Sequence, residues 1–266
     1  MEGLCPELSH QNHSSAPEQK DRGREADCRI LHLLEGARSA TGITVIIDVF
    51  RAFSVECYLY EMGASLVRPV GTIEEARALH EAIPGSILVG EQQGIRCEGF
   101  DFGNSPSQIL RGREMVRGRV AIHTTSAGTQ GIVNAAGASE ILTGSLVNAR
   151  AVAAYIRNRL REAPLMPVSL VAMGLSAKTP AAEDELCAEY IRAYIEGQKI
   201  PPSFEQRRRD LKNFDGKRFF DPKMQEHFPE EDYHMCIEES AFAYVLRVAR
   251  DEFGYYSEKI PVGQED

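Results

Sequence analysis

Short apolar runs alternate with amphipathic segments of helix length along most of the chain, beginning near residue 43. Each run is rich in β-branched residues and leads through a polar stretch into a helical pattern. This alternation predicts an α/β fold with a layered α/β/α architecture and a largely parallel or mixed sheet. The predicted strands are ITVIID (43–48), SLVRPV (65–70), SILVGE (86–91), RVAIHT (119–124), EILTGS (140–145) and VSLVAMG (168–174), with the earlier run RILHLL (29–34) as a further candidate.

Capping signals mark several of the predicted helices. Thr72 and Glu75 form a capping box before the apolar positions that follow. Ser145 is a good N-cap for a helix over 146–163, and Pro180 is suited to the first turn of a helix over 181–197. The segment 239–253 is predicted to be a final amphipathic helix.

The two ends of the α/β pattern predict the domain limits. We expect a disordered leader over residues 1–27 and a single α/β domain over 28–266. Within it, the proline-rich and charged stretch 197–235 interrupts the alternation and is interpreted as an excursion from the domain. Its run Arg207-Arg208-Arg209 is expected to be a solvated helix face rather than an anion site.

Composition narrows the class of protein. The 266-residue chain has nine more acidic than basic residues, which argues against nucleic acid as a partner. No apolar run is long enough to span a bilayer, and no secretory signal is evident. Six scattered cysteines without a Cys-x-x-Cys pair fit a reducing, cytoplasmic location. The sequence leaves open whether the protein is a homo-oligomer.

Ligands of open α/β sheets bind beyond the carboxyl ends of strands, so the residues after each apolar run are the first candidates for a site. Asp48 ends the first run, and Arg51 follows three residues later. A carboxylate there can bind Mg²⁺ or attack phosphorus, while an arginine can grip phosphate with two hydrogen bonds. The equally weighted alternative is that Asp48 caps the next helix and pairs with Arg51.

The glycine-rich stretch 90–110 is long and polar for a connection, as functional loops are. It contains Glu91, Asp101, Asn104 and Ser105, with Ser105-Pro106 at the start of a predicted helix. The structural alternative is a network of turns in which the Asx side chains bond to nearby amides.

A loop of hydroxyl-bearing residues follows the predicted strand that ends at Thr124. Thr124, Thr125, Ser126, Gly128 and Thr129 precede a helix of small residues, and such a helix start suits phosphate oxygens. The same residues also cap helices that bind nothing. His123 is expected to be a satisfied strand-end histidine.

Two further places carry polar side chains after strands. Asn148 follows one strand, and the adjacent acids Glu183 and Asp184 lie at the start of the helix after another. The acids either complement the helix dipole or belong, with Asp48, Glu91 and Asp101, to a set of candidate metal ligands. Oxygen ligands of this kind suit Mg²⁺ better than zinc or copper.

Taken in order, these segments resemble the 2-phosphosulfolactate phosphatase family. The matching stretches are VIIDVFRAF, GFDFGNSP, HTTSAGTQGI, ILTGSLVNARAVA and AEDELCA, which cover roughly residues 43–195. The family often shows Thr-Asn-Gly-Thr where this chain has Ser126-Ala127-Gly128-Thr129, so an asparagine side chain is absent here.

The resemblance implies an Mg²⁺-dependent phosphatase that hydrolyses 2-phosphosulfolactate, a small anionic substrate, to sulfolactate and phosphate in coenzyme M biosynthesis. By position, the resemblance implies catalytic roles for Asp48, Arg51, Glu91 and Asp101. It implies metal-binding roles for Asp48, Glu183 and Asp184. Asn104, Ser105, the Thr124–Thr129 loop and Asn148 become substrate-binding candidates. Haloacid-dehalogenase phosphatases normally have a second aspartate where this chain has Phe50, which favours attack by metal-activated water over attack by Asp48. The alternative function is a noncatalytic module that binds a phosphorylated ligand.

Overall fold

The apolar runs of the sequence form the strands of one mixed sheet in the computed structural model, which describes residues 27–263. Within those residues the sheet has ten strands, and all six runs predicted from residue 43 onward are among them. The earlier run RILHLL divides between the first strand and the first helix. The strands are β1 (Cys28–His32), β2 (Gly42–Ile47), β3 (Leu66–Val70), β4 (Ile87–Gln92), β5 (Ile95–Arg96), β6 (Val120–Thr124), β7 (Ala138–Gly144), β8 (Val168–Ala172), β9 (Tyr244–Asp251) and β10 (Gly254–Pro261).

Two groups of parallel strands make up most of the sheet, whose order is β1-β8-β2-β7-β9-β10-β3-β6-β4-β5. The first group is β1, β8, β2 and β7, and the second is β3, β6 and β4. The antiparallel pair β9 and β10 lies between them, and β5 adds a short antiparallel edge to β4. The predicted α/β class with a mixed sheet is therefore confirmed.

Helices cover both faces of the sheet, as the burial of β2 on both sides requires. Ile43, Val45 and Ile47 pack with residues of α7 and α8, whereas Ile46 points to the opposite face and packs with residues of α1 and α6. The helices are α1 (Leu33–Ser39), α2 (Ala52–Glu61), α3 (Ile73–Ala82), α4 (Pro106–Arg111), α5 (Arg113–Val116), α6 (Gly128–Asn134), α7 (Ala149–Glu162), α8 (Ala182–Ile195), α9 (Ser203–Asp210) and α10 (Glu230–Ile237).

The predicted helix starts are mostly found. Thr72 and Glu75 form the capping box of α3, with the Glu75 amide donating to Thr72 Oγ1 at 3.1 Å. Ser145 precedes a 3₁₀ turn over Leu146–Asn148 that leads into α7. Pro180 lies before α8 rather than in its first turn, because the helix begins at Ala182.

The predicted helix over 239–253 is wrong. Residues from Tyr244 form β9, and after a tight turn β10 returns alongside it. Tyr244, Val245 and Leu246 are buried in the middle of the sheet, so backbone pairing with β7 and β10 outweighs the local helical pattern.

The segment 197–235 folds onto the domain as α9, 3₁₀ turns and α10. Phe204, Leu211, Phe219 and Tyr233 are buried and pack in the same core cluster as β2 and α8. The arginine run lies on α9, where each arginine bonds to a glutamate. Arg207 and Arg209 are solvated as expected, whereas Arg208 is only 19% exposed and also donates to the Ile237 carbonyl oxygen. The excursion therefore shares the core of the sheet.

Other early expectations concern residues at the termini and the cell compartment. The predicted leader, apart from Asp27, lies outside the described residues. Between residues 27 and 263 no helix has the length and apolar character to cross a membrane. The five cysteines in that range are free thiols. A cytoplasmic location stays a prediction.

Candidate active site

A cavity of about 320 Å³ opens where strand ends from both parallel groups meet. Its walls come from the residues that follow β2, β6 and β8, from the end of β4 and its turn, and from the segment 197–235. This cavity is called the cleft below. It is lined by Asp48, Phe50, Arg51, Glu91, Gln93, Gly94, Asn104, Ser126, Ala127, Gly174, Leu175, Ser176, Arg218 and Phe228.

Asp48 lies directly after β2, where it bonds to the start of α2 and also lines the cleft. One carboxylate oxygen accepts a hydrogen bond from the Ala52 amide at 3.1 Å, so Asp48 does help to begin α2. The other oxygen lies beside Gly128, where an added Cβ would be only 3.0 Å away. The pKa of Asp48 is raised to about 6, because burial outweighs the lowering by the Ala52 amide and the nearby charge of Glu91 adds to the increase. A capping aspartate therefore also presents a carboxylate to the cleft.

Glu91 joins two loops of the cleft wall. Its Oε1 accepts a hydrogen bond from the Ser126 amide at 2.7 Å, and its Oε2 accepts from the Ser126 hydroxyl at 3.1 Å and from the Gly94 amide. The loop after β6 is thereby tied to the turn between β4 and β5. Glu91 is a second carboxylate on the cleft, held in place by three hydrogen-bond donors.

Arg51 lines the cleft but is not paired with Asp48, contrary to the structural alternative for these two residues. Its Nη1 donates to Asp232 at 2.6 Å, and both side chains are almost fully buried, at 3% and 0% exposure. Asp232 also accepts from the Ser105 hydroxyl at 3.0 Å and from the Ser107 amide at 2.9 Å. Asp232 thus fixes both the guanidinium of Arg51 and the start of α4.

Two further cleft residues, Arg218 and Phe228, come from the segment 197–235 and were not anticipated. The guanidinium carbon of Arg51 lies 4.6 Å from the centre of the Phe228 ring, and that of Arg218 lies 5.1 Å from it. Arg218 also donates from Nη2 to the carbonyl oxygen of Phe50 at 3.3 Å. The local sequence gives no signal for these residues or for Asp232, because their partners are distant in the chain.

Asp184 and Glu183 lie behind the cleft rather than on its wall. Asp184 accepts hydrogen bonds from the Val49 and Gly174 amides, each at 2.8 Å, and so clamps the loops after β2 and β8 together. Burial, with the charge of Asp48 next, raises the pKa of Asp184 well above its usual range. Burial, followed by the charge of Asp184, has the same effect on the pKa of Glu183, whose Oε2 is buried without a hydrogen-bond partner.

Asn104 reaches the cleft because a histidine holds it. His123 is fully buried, with Nδ1 3.1 Å from Glu56 Oε1 and Nε2 3.2 Å from Asn104 Oδ1. His123 is therefore the satisfied strand-end histidine that was expected, and it positions Asn104.

The hydroxyl-rich loop after β6 is largely satisfied within itself. The Thr125 amide donates to the Thr129 hydroxyl at 3.2 Å, and the Thr129 amide donates to the Thr125 hydroxyl at 3.3 Å. Thr124 is buried away from the cleft, whereas Ser126 and Ala127 line it. Of this loop, only the central residues Ser126 and Ala127 line the cleft.

Three other candidates lie outside the cleft lining. Asp101 is exposed and accepts a hydrogen bond from the Leu88 amide at 2.8 Å. Ser105 is the buried N-cap of α4, and Asn148 is buried where its Oδ1 accepts from the Ser145 amide at 2.9 Å. These three side chains support the loops around the cleft.

The charged residues of the cleft suit a magnesium ion of the kind that binds together with a phosphate. Mg²⁺ commonly takes one or two carboxylates and completes its shell with water and substrate oxygens. Asp48 and Glu91 both line the cleft and are close enough for Glu91 to raise the pKa of Asp48, a repulsion that a cation would relieve. No cluster of three or more His, Cys, Asp or Glu side chains suited to a metal occurs in the part of the chain described. The cleft therefore suits a cation that is bound partly by the protein and partly by a ligand, rather than one coordinated by protein side chains alone.

The fold and the cleft together define an α/β protein with a charged strand-end site suited to small anions. The 2-phosphosulpholactate phosphatase family model matches residues 28–250, and the chain belongs to that family.

Similar proteins carry the same description. The chain is 30% identical over 210 residues to the probable 2-phosphosulfolactate phosphatase of Bacillus subtilis, covering 79% of this chain and 88% of the relative. It is 36% identical over 146 residues to that of Caldicellulosiruptor saccharolyticus, covering 55% and 59%. It is 42% identical over 113 residues to that of Clostridium acetobutylicum, covering 42% and 47%.

Proposed function

We propose that the protein is an Mg²⁺-dependent phosphatase that hydrolyses the phosphate monoester of a small 2-hydroxy acid, with 2-phosphosulfolactate as the substrate. The observation that carries the proposal is the cleft itself, which two carboxylates and two arginines line in a member of this family. The names of the relatives support the choice of substrate.

Asp48 is the first choice for the metal ligand, and Glu91 provides the second carboxylate on the same wall. When bound, Mg²⁺ would neutralise charge on the phosphate and lower the pKa of a coordinated water. Glu183 and Asp184 lie behind the cleft. Both oxygens of Asp184 already accept hydrogen bonds from backbone amides, so the role of Asp184 is to hold the Asp48 loop in place.

Arg51 supplies the phosphate contact. Only its Nη1 is bonded to Asp232, which leaves other N–H groups of the guanidinium to bind phosphate oxygens. Asn104, Ser126 and Ala127 form the rest of the wall that a bound phosphate would meet.

Water is the proposed nucleophile. Its oxygen forms the new bond to phosphorus, the ester P–O bond breaks, and the leaving oxygen takes a proton to give the 2-hydroxy acid and inorganic phosphate. Phe50 stands where phosphatases with an aspartyl-phosphate intermediate normally have a second aspartate. Trapping a phosphoryl group on Asp48, detected by peptide mass analysis, would overturn this assignment.

The noncatalytic alternative is not favoured. The family to which the chain belongs and the similar proteins are described as phosphatases, and the cleft is lined by Asp48, Arg51 and Glu91. A role in coenzyme M biosynthesis follows only if 2-phosphosulfolactate is the substrate.

The test is release of inorganic phosphate from a panel of phosphorylated 2-hydroxy acids, including 2-phosphosulfolactate. We expect release that stops when divalent cations are removed with EDTA and returns when Mg²⁺ is added. Binding without release from any ester would favour the noncatalytic module, and release that survives EDTA would remove the metal from the mechanism.

A further inference from the structure

We propose that Arg218 binds a second anionic group of the substrate, a carboxylate or sulfonate, while the phosphoryl group lies against Arg51 and Asp48. Arg218 would then set the specificity for phosphate esters that carry an acid beside the ester. The inference rests on the proposed phosphatase function and assigns a task to the segment 197–235.

The charge of Arg218 is not balanced as that of Arg51 is. Arg51 makes a 2.6 Å ion pair with Asp232. Among residues 27–263, by contrast, no carboxylate lies within ion-pair distance of Arg218, whose hydrogen bond goes to the carbonyl oxygen of Phe50. Of the two arginines that line the cleft, Arg218 is therefore the one without an ion-pair partner in that range, and its charge acts only at longer range, where it opposes the increase that burial causes in the pKa of Asp48 and of Glu183.

The guanidinium of Arg218 is also held in place with a donor unused. Its carbon lies 5.1 Å from the centre of the Phe228 ring and 5.6 Å from that of Phe219, so two aromatic rings restrict its orientation. Its Nε is buried without a hydrogen-bond partner. The donor that a cleft ligand can reach is Nη1, which makes no hydrogen bond within residues 27–263 and is not a buried atom.

The two arginines differ in burial, and this difference indicates which group of the substrate each arginine contacts. Arg51 is 3% exposed and follows Asp48 closely in the chain, whereas Arg218 is half-buried on the turn over Asp215–Phe220. The reacting phosphoryl group belongs with the deeper pair, where charge interactions are screened less by solvent. The acid group of a 2-hydroxy acid lies on the carbon that bears the ester oxygen, so it would remain within the cleft and meet Arg218.

The experiment compares two substrates that differ only in charge: the phosphate ester of lactate and the phosphate ester of lactamide. Phosphate release is measured in Mg²⁺ with the full chain and with Arg218→Gln. We expect Arg218→Gln to lower kcat/KM for the acid about 10- to 100-fold, mostly through KM, because one charge-assisted contact is lost. For the amide we expect a change of less than about 3-fold, since that contact is never made.

Lys217→Gln is the matched control, because Lys217 is the neighbouring residue on the same turn, is exposed and does not line the cleft. Lys217→Gln removes the same charge and should leave kcat/KM unchanged for both esters. Equal losses of kcat/KM for acid and amide in Arg218→Gln would assign Arg218 to the phosphoryl group instead, and no loss for either would remove it from the site. Arg218→Lys, which keeps the charge, should retain part of the preference for the acid.

Direct binding separates this inference from the proposed catalysis. Calorimetric titration with the same two esters, in EDTA and without turnover, should show tighter binding of the acid by the unaltered protein and loss of that preference in Arg218→Gln. Equal affinity of the unaltered protein for acid and amide would refute the role of Arg218, even if phosphate release were observed. If the unaltered protein bound the acid more tightly than the amide but released no phosphate in Mg²⁺, only the proposed phosphatase activity would be refuted.

Discussion

The ion pair between Asp232 and Arg51 offers a quantitative test of how the cleft is built. Asp232 is fully buried and accepts three hydrogen bonds, from Arg51 Nη1, the Ser105 hydroxyl and the Ser107 amide. Asp232→Ala would leave the buried guanidinium without its counterion and the Ser107 amide without its acceptor. Removing one partner of a buried pair costs about 3–5 kcal/mol, a large part of the roughly 5–15 kcal/mol that stabilises a typical domain.

Glu231→Ala is a matched control on the same helix, α10. Glu231 pairs with Arg111 at the same 2.6 Å separation, but its side chain and that of Arg111 are 51% and 59% exposed. An exposed ion pair contributes about 0–1 kcal/mol to the free energy of unfolding. The two variants therefore break ion pairs that differ mainly in burial.

The assay is urea-induced unfolding followed by far-ultraviolet circular dichroism, since the chain contains no tryptophan. We expect Asp232→Ala to lower the free energy of unfolding by about 3–5 kcal/mol, or Tm by roughly 6–20 °C for a chain of this size, and Glu231→Ala to lower it by less than about 1 kcal/mol. If Asp232→Ala does not fold, Asp232→Asn keeps an acceptor for Ser105 and Ser107 and should still lose phosphatase activity through Arg51. Equal destabilisation by the Asp232 and Glu231 variants would refute the argument from burial.

Two further predictions concern the cleft carboxylate and its arginine. Asp48→Asn should abolish Mg²⁺-dependent phosphate release yet stabilise the metal-free protein at pH 8, by up to ~3 kcal/mol, because burial raises the pKa of Asp48 from 3.8 to about 6. The sign follows from the raised pKa: ionisation of Asp48 costs folding stability as pH rises from about 4 to 6, so the advantage of the variant should disappear in unfolding experiments at pH 4. Arg51→Lys should lower kcat/KM by about 100-fold or more, because an ammonium cannot reproduce the guanidinium fork, whereas Arg209→Lys on the solvated face of α9 should not. Normal kcat and KM in Arg51→Lys would exclude the phosphate contact.

Local patterns predicted the strands and the strand-end residues of the cleft well. Asp48, Glu91 and Ser126 could be singled out because each lies where an apolar run ends, and the parallel arrangement brings such ends together. The sequence could not show which polar residues face inward. Asp101 and Asn104, three residues apart, look equivalent as Asx residues, yet only Asn104 is turned to the cleft, by His123.

The rest of the site depends on contacts between distant parts of the chain. Arg51 and Asp232 are 181 residues apart, and nothing near Asp232 distinguishes it from the neighbouring acids on α10. The missed hairpin has the same cause, because Tyr244–Asp251 is held by pairing with β7 and β10 rather than by its own helical pattern. Such outcomes are decided by tertiary packing, which overrides local preference.

The position of the β9–β10 hairpin bears on how the chain can fold as it is synthesised. The strands that join the two parallel groups span residues 244–261, so β7 and β3 have no neighbour on one side until that part of the chain has emerged. Unpaired strand edges invite association with other chains, and pairings between distant residues form slowly. A nascent chain lacking its last two strands is therefore two half-sheets with exposed edges, and we expect cleavage before Tyr244 to yield aggregation rather than a smaller folded domain.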